Sequence, residues 1–203
     1  MNIPCPVQKG RPREFCVDQA LTAALRVFWS KGYEGASLTD LTEAMGITRP
    51  SLYAAFGNKE ALFKKAFDLY ERDKLAYVRE ALDAPTAREV AERLLNGSLA
   101  MLTGDGSARG CLSVISSMPC GAEAESVRSE VLARRAVINR AIVDRLERAK
   151  EEGDLPSAVD PEGLSRMLAA MFQGLSIQHA DGATKAQLQQ LIDTSLALWP
   201  TAK

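Results

Sequence analysis

Few of the side chains that build metal sites and acid–base catalysts occur in this sequence. Its 203 residues contain one histidine, His179, and four cysteines, Cys5, Cys16, Cys111 and Cys120, which show no CxxC spacing. A structural zinc site usually needs four Cys and His ligands, and imidazole is the commonest general base. We therefore expect no catalytic residue, no metal site and no cofactor, and we expect that the protein is not an enzyme.

A long apolar segment is also missing. The longest uncharged run covers residues 167–180, whereas a membrane-spanning helix needs about 18 or more apolar residues. Lys9, Arg11 and Arg13 precede a mixed amphipathic segment, which differs from the apolar stretch of a secretory signal peptide. We therefore expect a cytoplasmic protein without a membrane partner, in which cysteines stay reduced.

Net charge is small, but the charge is unevenly distributed. The formal net charge is −1, and residues 1–65 carry nine Lys and Arg against six Asp and Glu, which leaves +3 there and −4 in the rest. A basic N-terminal part favours contact with phosphate groups. Lys9, Arg11 and Arg13 have the pattern of a basic arm that lies in a minor groove. The alternative for this arm is a solvated terminus.

Residues 37–63 have the pattern of two short helices joined by a tight turn and followed by the start of a third helix. Ser37 can cap the first helix together with Asp40, three residues later. Gly46 can end that helix, because glycine tolerates the left-handed backbone conformation. Thr48 can cap the second helix. This pattern predicts a helix-turn-helix, which is a DNA-binding motif.

The second helix of this motif is the predicted recognition helix. Leu52 and Phe56 are expected to face the core, which leaves the other side chains outward on a helix of about two turns that fits a major groove. Asn58 is expected to cap the following helix. The candidate DNA-binding residues are Lys9, Arg11, Arg13, Ser37, Thr39, Thr48, Arg49, Pro50, Ser51, Tyr53, Ala54, Ala55 and Lys59.

The remaining chain has helical periodicity and no alternating pattern typical of strands. Beyond the motif we expect helices over about residues 59–82, 86–102, 111–118, 122–152, from 161 onward, and 185–199. The predicted fold class is all-α. We expect an N-terminal arm and helix-turn-helix DNA-binding domain over residues 1–58, and a helical C-terminal domain over residues 59–203.

The segment SLTDLTEAMGITRPSLYAAFGNKEALF resembles the DNA-binding motif of the TetR family of bacterial repressors. The resemblance includes the pair Leu52 and Tyr53 and the turn that begins at Asn58, and it extends over about residues 10–70. Beyond that range only the length and the helical pattern are similar. The resemblance implies a transcriptional repressor that binds a palindromic double-stranded operator and releases it when a small-molecule effector binds.

The resemblance also implies that residues 59–203 form an effector-binding and dimerisation domain, with a homodimer interface and an effector cavity. TetR-like proteins dimerise through their last two helices, and the apolar candidates for this interface are Met167, Met171, Leu175, Leu188, Leu191, Ile192, Leu196 and Trp199. The alternative is that both helices close the core of one protomer. The candidates for the effector cavity are Tyr70, Met101, Cys111, Leu112, Ile115, Met171, Phe172, Gln173 and His179.

Two alternative functions remain open at this stage. A thiol- or metal-responsive repressor of the same fold would sense oxidants, electrophiles or Cu(I) through Cys111 and Cys120, which flank a short predicted helix. A helical protein-interaction adaptor without DNA binding belongs to another class. Salt distinguishes the adaptor from a DNA-binding protein, because binding to phosphate weakens steeply as the salt concentration rises.

Overall fold

The computed structural model describes residues 16–104, 110–117, 121 and 124–201, and these residues form ten α-helices and no strand. The helices are α1 (Val17–Gly35), α2 (Leu38–Met45), α3 (Arg49–Phe56), α4 (Lys59–Lys74), α5 (Ala76–Leu82), α6 (Ala87–Thr103), α7 (Leu112–Ile115), α8 (Glu125–Glu151), α9 (Pro161–Ala180) and α10 (Lys185–Ala197). The prediction of an all-α protein is confirmed. None of the described helices combines the length and the apolarity that crossing a membrane requires.

Short-range hydrogen bonds set the ends of α2, α3 and α4. The backbone N–H of Asp40 donates to Oγ of Ser37 at 3.0 Å, and the backbone N–H of Ser37 donates to the Asp40 carboxylate at 3.0 Å. Gly46 ends α2 with a φ of 65°, in the left-handed region. The side chains of Thr48 and Asn58 accept backbone hydrogen bonds in the first turns of α3 and α4. The predicted limits of the helix-turn-helix are therefore confirmed.

An aromatic cluster packs α4 against α1. The rings of Phe28 and Phe63 meet edge to face with centroids 5.2 Å apart, and those of Trp29 and Tyr70 do so at 5.1 Å. All four side chains are buried, and aromatic pairs in this geometry add to the stabilisation from burial. Helix α4 therefore shares its core with the DNA-binding helices. The domain division at residues 58 and 59 stays a prediction.

The helix expected over residues 59–82 is instead two helices, α4 and α5. They meet at Leu75, whose φ of −105° and ψ of 8° depart from helical geometry. Beyond this break the ring of Tyr77 lies on the backbone of α6 at Gly97, where an added Cβ would lie only 2.7 Å from Cγ of Tyr77. The prediction of one continuous helix was wrong, because local periodicity carries no information on packing against α6.

The short helix expected over residues 111–118 is also smaller in the structure. It begins at Leu112 and ends at Ile115, so that α7 is a single turn. Cys111 precedes the helix with an extended backbone. Met118 lies outside the described residues. The buried side chain of Leu112 joins the core formed by α1 to α4.

The protomer's own core takes up most of the apolar residues expected at the dimer interface. Leu175, Leu188 and Ile192 have no exposed surface, and Leu196 and Trp199 are 8% and 6% exposed. These five residues pack in a core to which α6 contributes, because α6 contacts both α9 and α10. Their assignment to an interface is therefore corrected. The other three candidates, Met167, Met171 and Leu191, are exposed or half-buried.

Candidate nucleic-acid interface and effector cavity

The exposed face of the helix-turn-helix carries the predicted DNA-binding side chains. On the inner face of α3, Leu52 and Phe56 are buried in the core. On its outer face, Arg49, Tyr53 and Ala54 are exposed, and Tyr53 retains 48% of its surface. A helix of about two turns with exposed polar side chains has the dimensions to enter a major groove.

Arg49 connects α3 to α2 on this face. Its Nη2 donates a hydrogen bond to Oγ1 of Thr39 at 2.9 Å, and both residues are exposed. A guanidinium group has five N–H donors, and its planar fork matches the O6 and N7 acceptors of guanine. The bond to Thr39 therefore orients Arg49 and still leaves donors for a base.

Two lysines beside the helix-turn-helix have different surroundings. Lys31 forms an ion pair with Asp40 at 2.6 Å, and the hydrogen bond from Lys31, followed by those from Ser37, lowers the pKa of Asp40 to about 2. Lys59 lies in the first turn of α4, with Nζ 4.5 Å from the centroid of the Tyr33 ring. The positive end of a helix dipole and a lysine together favour a phosphate group.

Ten of the thirteen DNA-binding candidates lie on α2, α3, the first turn of α4 and the caps of these helices. Lys9, Arg11 and Arg13 lie outside the described residues. The exposed candidates are Ser37, Thr39, Thr48, Arg49, Pro50, Tyr53 and Ala54, and the half-buried ones are Ser51, Ala55 and Lys59.

A cavity of about 80 Å³ lies in the C-terminal part, bordered by residues of α5, α6, α8, α9 and the start of α7. Four predicted residues line it: Met101, Cys111, Phe172 and Gln173. Sequence reasoning missed the polar residues Tyr77, Ser98, Ser113, Arg135 and Asn139, which also line it. Helical periodicity could have found Arg135 and Asn139 of α8, because they are four residues apart and flank the apolar Ile138.

The other five predicted cavity residues lie outside this lining: Tyr70, Leu112, Ile115, Met171 and His179. Tyr70 is buried, and its hydroxyl lies 3.0 Å from Sγ of Cys111. Burial raises the pKa of Tyr70, so the phenol stays protonated at neutral pH. Nδ1 of His179 accepts a hydrogen bond from the backbone N–H of Gly110 at 3.2 Å.

Residues 110–117, here called the α7 segment, connect the cavity with the DNA-binding helices. Nε1 of Trp29 in α1 donates to the carbonyl of Gly110 at 2.8 Å. The backbone N–H of Cys111 donates to Oγ of Ser176 in α9 at 2.7 Å. Cys111 and Ser113 line the cavity, whereas Leu112 between them is buried against α1 to α4. The same segment therefore contacts both parts of the molecule.

The described cysteines are thiols without a metal-binding cluster. Cys16 and Cys111 are half-buried thiols. Within the described ranges, no group of three or more His, Cys, Asp and Glu side chains is arranged to hold a metal ion. Cys5 and Cys120 lie outside the described residues, so sensing through Cys111 and Cys120 stays a prediction.

Comparison with known proteins gives a consistent result over nearly the whole chain. The model of bacterial regulatory proteins of the tetR family matches residues 20–66, and the model of a tetracyclin repressor-like C-terminal domain matches residues 89–194. The transcriptional repressor ComR of Escherichia coli is 33% identical over 95% of this chain and 92% of its own length. The regulator YezE of Bacillus subtilis is 30% identical over 93% of this chain and 98% of its own length.

A solved structure extends this comparison to a DNA complex. It contains a cysteine mutant of the TetR family transcriptional regulator CifR with 26-bp double-strand operator DNA. The two chains are 43% identical with a TM-score of 0.88, and the match covers 94% of this chain and 100% of the other. The similarity therefore includes both the DNA-binding part and the helical C-terminal part.

Proposed function

Because this chain belongs to the TetR family and is a DNA-binding transcriptional regulator rather than an enzyme, we propose that it is a homodimeric repressor that leaves its operator when an effector occupies the cavity. The observation that carries the proposal is the exposed face of α3, where Arg49 and Tyr53 project from a helix fixed by Leu52 and Phe56. The 43% identical relative in complex with operator DNA supports it.

The proposed DNA contacts divide into two kinds. Arg49 contacts a guanine edge in the major groove, because its fork fits the two acceptors of that base. Tyr53 and Lys59 contact phosphate groups and position the helix without reading sequence. Lys9, Arg11 and Arg13 remain candidates for a minor-groove arm. Two copies related by a two-fold axis require a palindromic operator with one half-site for each recognition helix.

Exposed apolar residues on the last two helices support the proposed dimer. Met167 and Ile177 on α9 are 41% and 47% exposed, and they share a helix face with Gly174, where an added Cβ would meet no atom within 4 Å. Leu198, which directly follows α10, is 81% exposed and lies seven residues beyond the half-buried Leu191. Apolar positions at this spacing form a continuous surface on which a second copy can pack.

We propose that the α7 segment, as well as α4, transmits effector binding to the DNA-binding helices. An effector between α6, α8 and α9 displaces Cys111 and Ser113, which line the cavity. Their movement shifts Gly110, which accepts the hydrogen bond from Trp29, and Tyr70 of α4, which contacts Cys111. Trp29 and Tyr70 belong to the same core as the buried side chains of α3. Their displacement by the effector therefore changes the position of α3.

Selection of bound DNA from a random pool tests the repressor proposal. The expected product is a palindrome, and protection of both half-sites from nuclease cleavage is expected on it. Affinity should fall steeply with salt, because several phosphate contacts release counterions. Absence of any enriched sequence, together with binding that salt does not weaken, would favour the protein-interaction adaptor instead.

A second candidate function, a thiol-responsive repressor, is favoured by the surroundings of Cys111. Its Sγ lies 3.0 Å from the Tyr70 hydroxyl and 3.0 Å from the Ser113 hydroxyl, at the cavity wall. Mild oxidant, a soft electrophile or Cu(I) is then expected to release the wild-type protein from DNA and to leave Cys111→Ser bound. Equal release of both proteins would reject sensing through this thiol.

A further inference from the structure

Among the described residues that line the cavity, Arg135 on α8 is the only one with a charged side chain. Most of the other lining residues are apolar, and they include Leu94, Ile142 and Phe172. A pocket that is mostly apolar and has a few polar groups at one end orients a ligand by that end. The nature of the polar end therefore indicates the chemistry of the ligand.

The described residues offer little compensation for the charge of Arg135. Its Nη1 donates to Oγ of Ser117 at 2.9 Å. Within the described part of the chain, no carboxylate lies within ion-pair distance of Arg135. The adjacent Arg134, in contrast, forms ion pairs with Asp68, Glu71 and Glu130. A half-buried cation without an anionic partner is costly, and a ligand anion would offset that cost.

Neutral polar side chains also line the cavity. Asn139 lies one helical turn after Arg135 on the same face of α8, and Gln173 and Ser113 line the cavity from α9 and the α7 segment. Side-chain amides and a hydroxyl donate hydrogen bonds to carboxylate oxygens. Carboxylate oxygens accept two parallel bonds from arginine, which makes this pairing stronger than a neutral hydrogen bond.

The cavity volume limits the size of the ligand. A cavity needs at least about 10–15 Å³ on this measure to hold one water, so a volume of about 80 Å³ leaves room for a small ligand of several non-hydrogen atoms. A carboxylate group contributes three of these atoms. The remainder fits a short apolar chain against Leu94, Ile142 and Phe172.

We propose that the effector is a small organic monocarboxylate with a short apolar body, whose carboxylate pairs with Arg135. This inference rests on the proposed function, because it takes the cavity as the effector site. The apolar body displaces water from the inner walls, and the carboxylate lies beside Ser113 of the α7 segment. Ligand charge is thus placed at the segment that contacts the DNA-binding helices.

The test compares matched ligands on the full-length protein. Butanoate and butanamide have nearly the same shape and differ in charge, and butylammonium carries the opposite charge on a chain of similar length. We expect butanoate to raise the melting temperature and to release a selected operator, since a ligand that binds only the folded state stabilises it. Butanamide should bind about ten- to a hundred-fold more weakly, and butylammonium should not bind.

Variants on α8 test whether Arg135 is the side chain that binds butanoate. Arg135→Gln should lower butanoate affinity to that of butanamide while retaining operator binding. Arg140→Gln is the matched control, because Arg140 lies on the same helix, is 60% exposed and does not line the cavity. Its butanoate affinity should equal that of the wild type.

The possible outcomes separate this inference from the repressor proposal. Equal affinity for butanoate and butanamide, or unchanged butanoate affinity in Arg135→Gln, would overturn the carboxylate inference. The same holds if no carboxylate of four to six carbons shifts the melting temperature at millimolar concentration. Operator binding by the unliganded protein tests the repressor proposal independently, because it requires no ligand.

Discussion

At the scale of a residue, Arg49 is the side chain most suited to distinguish one operator from another. Its guanidinium is exposed on α3 and is held by Thr39. We expect Arg49→Ala to cost about 1–3 kcal/mol of binding free energy on the selected operator and to relax the preference at one base pair in each half-site. Binding titrations against operators substituted at single positions measure both effects.

Matched substitutions separate base contact from general charge. Lys59→Ala should weaken binding to all sequences to a similar degree, because a phosphate contact carries no sequence information. Arg79→Ala removes an exposed cation from α5, away from the helix-turn-helix, and should leave binding unchanged. If Arg49→Ala lowered affinity equally for specific and random DNA, Arg49 would be a phosphate contact.

At the scale of an element, the packing of α5 on α6 depends on one glycine. The ring of Tyr77 occupies the space that a Cβ at Gly97 would fill. Alanine favours helix by about 1 kcal/mol over glycine, whereas overpacking costs about 1–3 kcal/mol. We therefore expect Gly97→Ala to lower the free energy of unfolding by up to about 2 kcal/mol, measured by chemical denaturation.

The sign of this effect should depend on Tyr77. In a Tyr77→Ala background the obstructing ring is absent, so Gly97→Ala should be neutral or stabilising by up to about 1 kcal/mol. A double-mutant cycle isolates this coupling. Equal destabilisation in both backgrounds would mean that Gly97 is required for another reason.

At the scale of the whole molecule, palindrome recognition depends on the proposed dimer. Leu196 is a poor test of the interface, because it is buried in the protomer's own core. Ile177 is exposed on α9, and Ile177→Glu would place a charge between the two copies at a cost of about 3–5 kcal/mol. We expect this variant to be monomeric by light scattering, with a normal helical circular dichroism spectrum.

The monomer should also bind the operator more weakly. When one DNA-binding head of a dimer is bound, the contact of the second head is intramolecular, which raises the affinity for the operator. The monomer lacks this increase in affinity. Val137→Glu is the control, because Val137 is 72% exposed on α8 and outside the proposed interface. A dimeric Ile177→Glu variant that binds like the wild type would place the interface elsewhere.

The amino-acid sequence by itself determined the helix-turn-helix, because its signals act over three or four residues. The caps at Ser37, Thr48 and Asn58 and the left-handed turn at Gly46 are all present at the expected positions. The inward direction of Leu52 and Phe56 also follows from helical periodicity alone. These features need no knowledge of distant parts of the chain, and they carry the resemblance to the family.

Only the tertiary structure decided which apolar residues are core and which remain exposed. The apolar stripes of α9 and α10 have the same periodicity whether α6 or a second copy covers them, and α6 covers Leu175, Leu188 and Ile192. The break at Leu75 and the position of Arg135 beside the cavity likewise depend on helices remote in the sequence. Side-chain burial is set by long-range packing, which local periodicity does not encode.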